Sequence, residues 1–316
     1  MTDAPPPAVQ LDLTRLRVLA AVARTGSVTA AARELHYAQP SVSHHLSRLE
    51  AEAGIPLLER AGRGVRLTEA GRMLADRAEE IIARVGAAQR ELDALAGLRA
   101  GRVRLAAFPS ALATVVPDAV RRLRAAHPGL GVTLVEAEPP EAVAALRSGE
   151  VDVAVVFEHP DVRHARSVDD LTPFLVTPVM EDSVHLVTAP DGPVADASAA
   201  QEAADGSGTG LLRRYEDATW IAGCERCRAD LVARCATAGY APRISFETDD
   251  YVAVQALVAA GAGVSLLPGL ALRAHRHPEV VTAPVPGARR DVLALTVGEP
   301  SAPARALVEQ LVAAGA

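Results

Sequence analysis

Residues 27–49 read SVTAAARELHYAQPSVSHHLSRL, and this stretch decides the N-terminal fold. Val28, Ala31, Ala32 and Leu35 recur at helical spacing, then the pattern breaks at His36-Tyr37-Ala38. Val42, Leu46 and Leu49 recur at i, i+4, i+7 on a second helix. Pro40 stands in its first turn, where the N–H groups have no helical partner and proline is tolerated. At 100° per residue the three aliphatic residues share one side, and Pro40, Ser43, His44 and Ser47 fall opposite. That outer face is small, polar and free of acids, as an element entering a DNA major groove should be. The plain alternative is a surface helix hairpin.

Working outward, Leu13 to Arg24 reads as a preceding helix with Leu16, Leu19, Val22 and Ala23 on one face. Thr25-Gly26 ends it, and Ser27 is the N-cap of the next. Gly54 closes the second helix of the pair. Leu57 to Leu67 pairs apolar residues around a turn with two glycines, a β-hairpin wing with Arg63 near its tip and Arg60 and Arg66 beside it. From Thr68, Leu74, Ala78, Ile81, Val85, Ala88, Leu92 and Leu95 alternate spacings of four and three, a heptad seam that predicts a dimerisation helix. Gly97 and Gly101 mark a hinge.

Charge divides the chain the same way. All 32 basic residues are arginine, and the net charge is −7. Residues 13–72 nevertheless hold nine arginines against five acids, and residues 101–316 hold 19 against 27. A basic module on an acidic body meets the need of local phosphate binding, which whole-chain charge does not test. The three cysteines provide no disulfide framework, which points to a reducing cytosol. The start, MTDAPPPAVQ, lacks the pattern of a signal peptide and reads as a disordered tail. No apolar run is long enough for a membrane span.

From Arg102 strands alternate with helices. Strands are expected at Val103–Phe108, Val132–Glu136, Val151–Phe157, Val184–Thr188, Thr219–Ala222, Ile244–Thr248, Val264–Leu267 and Val292–Val297. Helices are expected at Pro117–Ala126, Glu141–Ser148, Arg228–Gly239, Tyr251–Ala260 and Ala302–Ala313. This alternation predicts a parallel sheet with helices on both faces. Residues 189–218 read as a flexible insertion, because the glycines at 206–210 have neither a strand before them nor the lysine of a phosphate loop after them. Ligands of open α/β sheets sit beyond the carboxyl ends of strands. That rule selects Ser110, Glu158, His159, Cys224, Glu225 and Thr248, three of them (Ser110, Cys224, Thr248) near helix N-termini that favour anions. Acids at 158 and 225 oppose an anion, so the effector's charge stays open. Cys224-Glu225-Arg226-Cys227 offers too few ligands for a closed zinc site; a thiol at a helix N-terminus can be redox-active or a buried packing residue. Ser43-His44 is no catalytic pair, since adjacent helical residues do not face each other.

The stretches AAVARTGSVTAAARELHYAQPSVSHHLSRLEAEAGIPLLER (20–60) and RGVRLTEAGRMLADRAEEI (63–81) resemble the N-terminal half of LysR-type transcriptional regulators. The resemblance implies a tail at 1–10, a winged helix-turn-helix at 11–67, a linker helix at 68–97 and a two-lobed, periplasmic-binding-protein-like effector domain at 102–316. Its first lobe would take about 102–177 and 284–316, its second about 178–283. The resemblance carries base reading onto Gln39, Pro40, Ser41, Ser43 and His44; Arg33, Arg48, Arg60 and Arg63 are phosphate or wing candidates. Ala38 departs from the serine that usually caps the recognition helix, and His44 stands where many relatives have arginine. The expected protein is a cytosolic regulator of double-stranded DNA at dyad-symmetric sites, a homodimer or a homotetramer of two dimers, without cofactor or metal and controlled by a small molecule between the lobes. An enzyme or a solute-binding protein is the competing class; no convergent acid, base and nucleophile set supports the first, and no signal peptide the second.

Overall fold

The computed structural model describes residues 11–35, 37–61, 64–95, 101–160, 171–190 and 208–316. The tail at 1–10, Gly97 of the hinge, Arg63 at the wing tip and most of the 189–218 insertion lie outside these residues. The chain divides into two compact units, residues 1–98 with 144–151, and residues 99–143 with 152–316.

The first unit opens with α1 (Leu13–Thr25), whose N-cap Asp12 accepts from the Arg15 amide. Ser27 caps α2 (Val28–Glu34) in the same way, accepting from the Ala30 amide. α3 (Gln39–Ala53) begins at Ala38, which supplies no side-chain cap. Gly26 and Gly54 end α1 and α3 with φ of 65° and 69°, the left-handed turn that glycine enters without steric cost. β1 (Leu58–Ala61) and β2 (Gly64–Leu67) pair antiparallel, Leu58 opposite Leu67 and Glu59 opposite Arg66. The Glu50 carboxylate, on α3, accepts from the amides of Leu57 and Leu58 and so fixes where the hairpin begins. Thr68 accepts from the Gly71 amide at the start of α4 (Glu69–Leu95). Leu19, Ala31, Val42, Leu46, Leu49, Leu57 and Ala78 meet in one core. The spacing of apolar residues therefore dictates the packing here.

The second unit runs β3 (Arg102–Ala107), α5 (Pro109–Leu112), α6 (Val115–Ala126), β4 (Gly131–Glu136), α7 (Pro139–Arg147), β5 (Val153–Glu158), β6 (Phe174–Thr188), α8 (Thr209–Arg213), β7 (Thr219–Ala222), α9 (Glu225–Thr237), β8 (Arg243–Glu247), α10 (Tyr251–Ala259), β9 (Val264–Pro268), α11 (Gly269–Ala274), β10 (Val281–Val297) and α12 (Ala302–Gly315). α7 continues into residues assigned to the first unit. The strands form one sheet ordered β4-β3-β5-β10-β6-β9-β7-β8. It is mixed, which corrects the expectation of a parallel sheet. β3 pairs parallel with β4 and β5, and β7 with β8 and β9, but β10 runs antiparallel to both β5 and β6. The periodicity of residues 174–183 and 281–291 hid this, because Pro178, Glu181, Asp182, Pro284 and Pro286 interrupt it. Both segments are strand: β6 and β10 are long strands that join the two halves of the sheet, β5 pairing at Asp291–Leu295 and β9 at Val184–Val187. Each half has its own core, one around Leu105, Phe108, Phe157, Leu123 and Leu307, the other around Leu186, Trp220, Leu231 and Cys235.

Candidate functional site

α3 buries Val42, Leu46 and Leu49 and leaves Gln39, Pro40, Ser41, Ser43, His44, Ser47 and Arg48 exposed. Arg33 is exposed on α2. The outer face is therefore a row of hydroxyl, amide and imidazole groups with a guanidinium at its end. In the wing, Arg66 pairs across the hairpin with Glu59 at 2.7 Å, and Arg60 lies on β1.

The heptad seam needs a correction. Ala78 is fully buried in the first unit's own core and Leu74 packs against it, so these two positions serve the fold of their own unit. Farther along α4, Ile81, Val85 and Leu92 are 38%, 44% and 60% exposed. The seam splits because α1 packs against the start of α4 and covers only that part.

In the second unit a cleft of about 450 Å³, counted with its open mouth, forms where loops from both halves of the sheet converge. Ser110, Cys224 and Thr248 line it. The other three candidates do not. His159 is buried behind the wall, its Nδ1 3.3 Å from the Arg289 carbonyl and 3.4 Å from Asp230 Oδ1. Glu225 is exposed on the first turn of α9, and Glu158, at the end of β5, lies opposite Asp291 of β10. Strand ends alternate between faces, so a rule that names loop residues names both the lining and its backing.

One of the expected helix N-termini is already capped by a side chain. Asp250 accepts from the amides of Val252 and Ala253 at the start of α10, and Thr248 accepts from the Asp250 amide. α5 is a single turn, and Ser110 accepts a hydrogen bond from Arg290 at 2.9 Å. α9, like α5, has no side-chain capping bond, its N-cap being Cys224.

Arg290 is the residue that sequence reasoning missed. Its guanidinium is buried, bonds Asp182 at 2.9 Å, and stands 4.7 and 4.5 Å from the ring centroids of Phe108 and Phe157. Asp182 also accepts from the Leu270 amide, so the pair ties β6, β10 and the start of α11 to the cleft floor. Its signal was a charged run, Arg289-Arg290-Asp291, leading into the apolar residues Val292-Leu293-Ala294-Leu295. Glu138 also lines the cleft. Burial pushes its carboxyl up to about 7 from 4.5, helped by the nearby Cys227.

A helix-turn-helix unit with a polar recognition face, joined to an α/β unit with a ligand cleft, defines a class of sensor-regulators. Residues 13–72 match the bacterial regulatory helix-turn-helix protein, lysR family, and residues 96–316 match the LysR substrate binding domain. The chain belongs to the LysR family of bacterial regulatory helix-turn-helix proteins. It is 34% identical over 146 residues to the probable HTH-type transcriptional regulator LrrA of Synechococcus elongatus, covering 46% of this chain and 50% of LrrA. The aligned region thus spans about half the length of that relative. It is 28% identical over 304 residues to the DNA-binding transcriptional dual regulator OxyR of Escherichia coli (strain K12), covering 95% of this chain and 93% of OxyR. The crystal structure of CbnR, a LysR family transcriptional regulator, shares the fold with a TM-score of 0.56 and 22% identity, over 97% of this chain and 100% of CbnR. Among the described residues no helix is long and apolar enough to cross a membrane.

Proposed function

We propose that this chain is a sequence-specific, cytoplasmic transcription regulator that reads a dyad-symmetric site in double-stranded DNA and responds to a small molecule held in the second unit's cleft. The observation that carries the reading is the division of α3 into a wholly buried aliphatic strip and a wholly exposed polar face. Gln39, Pro40, Ser41, Ser43 and His44 read base edges, and Arg33, Arg48, Arg60 and Arg63 hold phosphates and the wing. Ile81, Val85 and Leu92 form the dimer seam, which sets two recognition helices on a two-fold site. Two such dimers make a homotetramer. The chain acts as a regulator and not as an enzyme. Ser110, Cys224 and Thr248 contact the effector, which shifts the equilibrium between two arrangements by binding one of them better.

Selection of the full-length protein against random duplexes tests this. A palindromic consensus whose affinity falls steeply with salt is expected. Retention of random sequence as tightly as the selected site would defeat the reading. Ile81→Asp places a charge in the seam with no partner and should shift the sedimenting species to monomer. An unchanged oligomer at micromolar protein would move the interface off α4.

A further inference from the structure

Cys224 and Cys227 stand three residues apart at the start of α9, and neither DNA reading nor effector contact uses the reactivity of their thiols. In the structure the two sulfurs touch, Sγ to Sγ at 3.2 Å, with Cys224 as donor. Both are part-exposed and both line the cleft. They occupy the N-cap and third position of the four-turn helix α9, whose first amides have no side-chain cap.

Their surroundings differ. Cys227 faces the His159 imidazole and the Arg290 guanidinium, and together with the hydrogen bond from Cys224 these hold its thiol below the ordinary range. Cys224 faces the Glu138 carboxylate, and its hydrogen bond to Cys227, together with burial, pushes its thiol up. Asp249, ahead of α10, adds negative charge beside Glu138. His159 is itself held: Nδ1 lies against the Arg289 carbonyl and Asp230, and Asp230 is anchored by Arg234 at 2.8 Å. Nε2 is buried and makes no hydrogen bond among the described residues. A thiol beside an imidazole that an acid orients is the arrangement of an activated nucleophile.

We propose that Cys224 and Cys227 are a reversible dithiol–disulfide couple opening onto the cleft, with Cys227 the attacking sulfur, His159 its positioning residue, and low-molecular-weight organic disulfides the oxidant. The Cys227 thiolate attacks one sulfur of the disulfide RSSR, forming a mixed disulfide and releasing RS⁻. Cys224 gives its proton to Glu138 and attacks Cys227 Sγ, closing the protein disulfide and releasing the second RS⁻. The protein loses two electrons and RSSR becomes two thiols once solvent protonates them. The sulfurs must approach from 3.2 Å to about 2.05 Å, a distance within side-chain rotation. The apolar walls made by Phe108, Phe157 and Tyr251 suit an organic substituent on the attacked sulfur. The couple requires only the second unit's geometry and holds whatever DNA site the first unit reads.

Full-length protein equilibrated in stepped mixtures of reduced and oxidised glutathione, then acid-quenched, alkylated and mapped by mass spectrometry, tests it. One two-electron transition with a Cys224–Cys227 bridge and an alkylated Cys235 is expected. A pair that stays reduced at every ratio, or a bridge to Cys235, overturns it. Cys224→Ser should trap the mixed disulfide on Cys227, whereas Cys227→Ser should react with glutathione disulfide at least about tenfold more slowly; the reverse order overturns the roles. In the Cys224→Ser background, the pH profile of Cys227 alkylation should move upward when His159→Gln is added. A drop in rate with the profile unmoved would mean that His159 only packs. Oxidation by hydrogen peroxide that outruns both oxidised glutathione and cystamine at equal concentration overturns the choice of oxidant.

Discussion

The recognition helix and the cleft treat charge in opposite ways. α3 keeps its polar side chains in water: His44 and Ser43 stand exposed over a dry strip of Val42, Leu46 and Leu49. The cleft buries its strongest charge and neutralises it, Arg290 against Asp182 beneath Phe108 and Phe157. A surface that must meet many base sequences can leave its polar groups solvated until DNA replaces the water. A cleft that must hold one shape needs its polar groups fixed beforehand, and a buried ion pair does so at a desolvation cost. Substitutions on the face should therefore alter binding and leave folding intact, and those in the floor should alter folding first.

The largest effect is expected at that floor. Arg290→Ala leaves Asp182 buried without its cation and should destabilise the second unit by about 3–5 kcal/mol, measured by urea unfolding of the full chain. Replacing both partners with apolar residues, Arg290→Met with Asp182→Leu, should recover most of the loss, since two matched charges disappear together. If the double variant were as unstable as Arg290→Ala, packing on the two phenylalanines would matter more than the pair.

His44→Ala tests the other side of the comparison. It should leave the unfolding midpoint within the roughly 0.5 kcal/mol typical of surface changes. Discrimination among bases at one position of the selected site should fall by about 1–3 kcal/mol. Equal affinity for all four bases in both proteins would remove His44 from the reading set, and a large loss of stability would place it in the fold.

The same contrast explains what the sequence made legible. α3 is local: its buried strip, its proline and its closing glycine lie within sixteen residues, so periodicity and caps suffice. The cleft floor joins Ser110 to Arg290 and Asp182 to Leu270, pairs separated by 180 and 88 residues. No periodic pattern carries such pairings. The rule for strand ends found Ser110, Cys224 and Thr248 because it follows from sheet topology. It could not separate them from His159, which lies one layer behind. The long strands β6 and β10 were read short for a related reason. Their middles carry prolines and charges that look like loop, and only the partner strand turns Asp182 and Arg290 into core.

Ala38 offers a smaller test, again on the recognition helix. α2 has its serine cap and α3 has none. Ala38→Ser should give the first amides of α3 an acceptor and raise the stability of the first unit by about 1 kcal/mol. Thermal unfolding of the full chain at fixed pH would report it. No gain would mean that Pro40 and the packing of Val42 already hold the start of the helix.

The last test concerns Glu138, where the sign of the pH dependence separates a cleft carboxyl from a surface one. Its folded value of about 7 lies above the ordinary 4.5 because burial disfavours the charged form. The protonated carboxyl is therefore the form that the fold prefers. Its contribution is fully present below pH 4.5, declines as pH rises, and is lost once pH passes about 7. Glu138→Gln is neutral at every pH and should not show this decline. The stability of wild type minus that of Glu138→Gln, followed from pH 5 to pH 8.5 in urea, should fall up to about pH 7 and level off above it. A flat difference would mean that water reaches its carboxylate freely, and the cleft would then resemble the recognition face in leaving its charges solvated. Because Glu138 is the proton acceptor for Cys224, the same titration also tells at which pH closure of the dithiol should slow: below about 7, where the carboxyl already holds its proton.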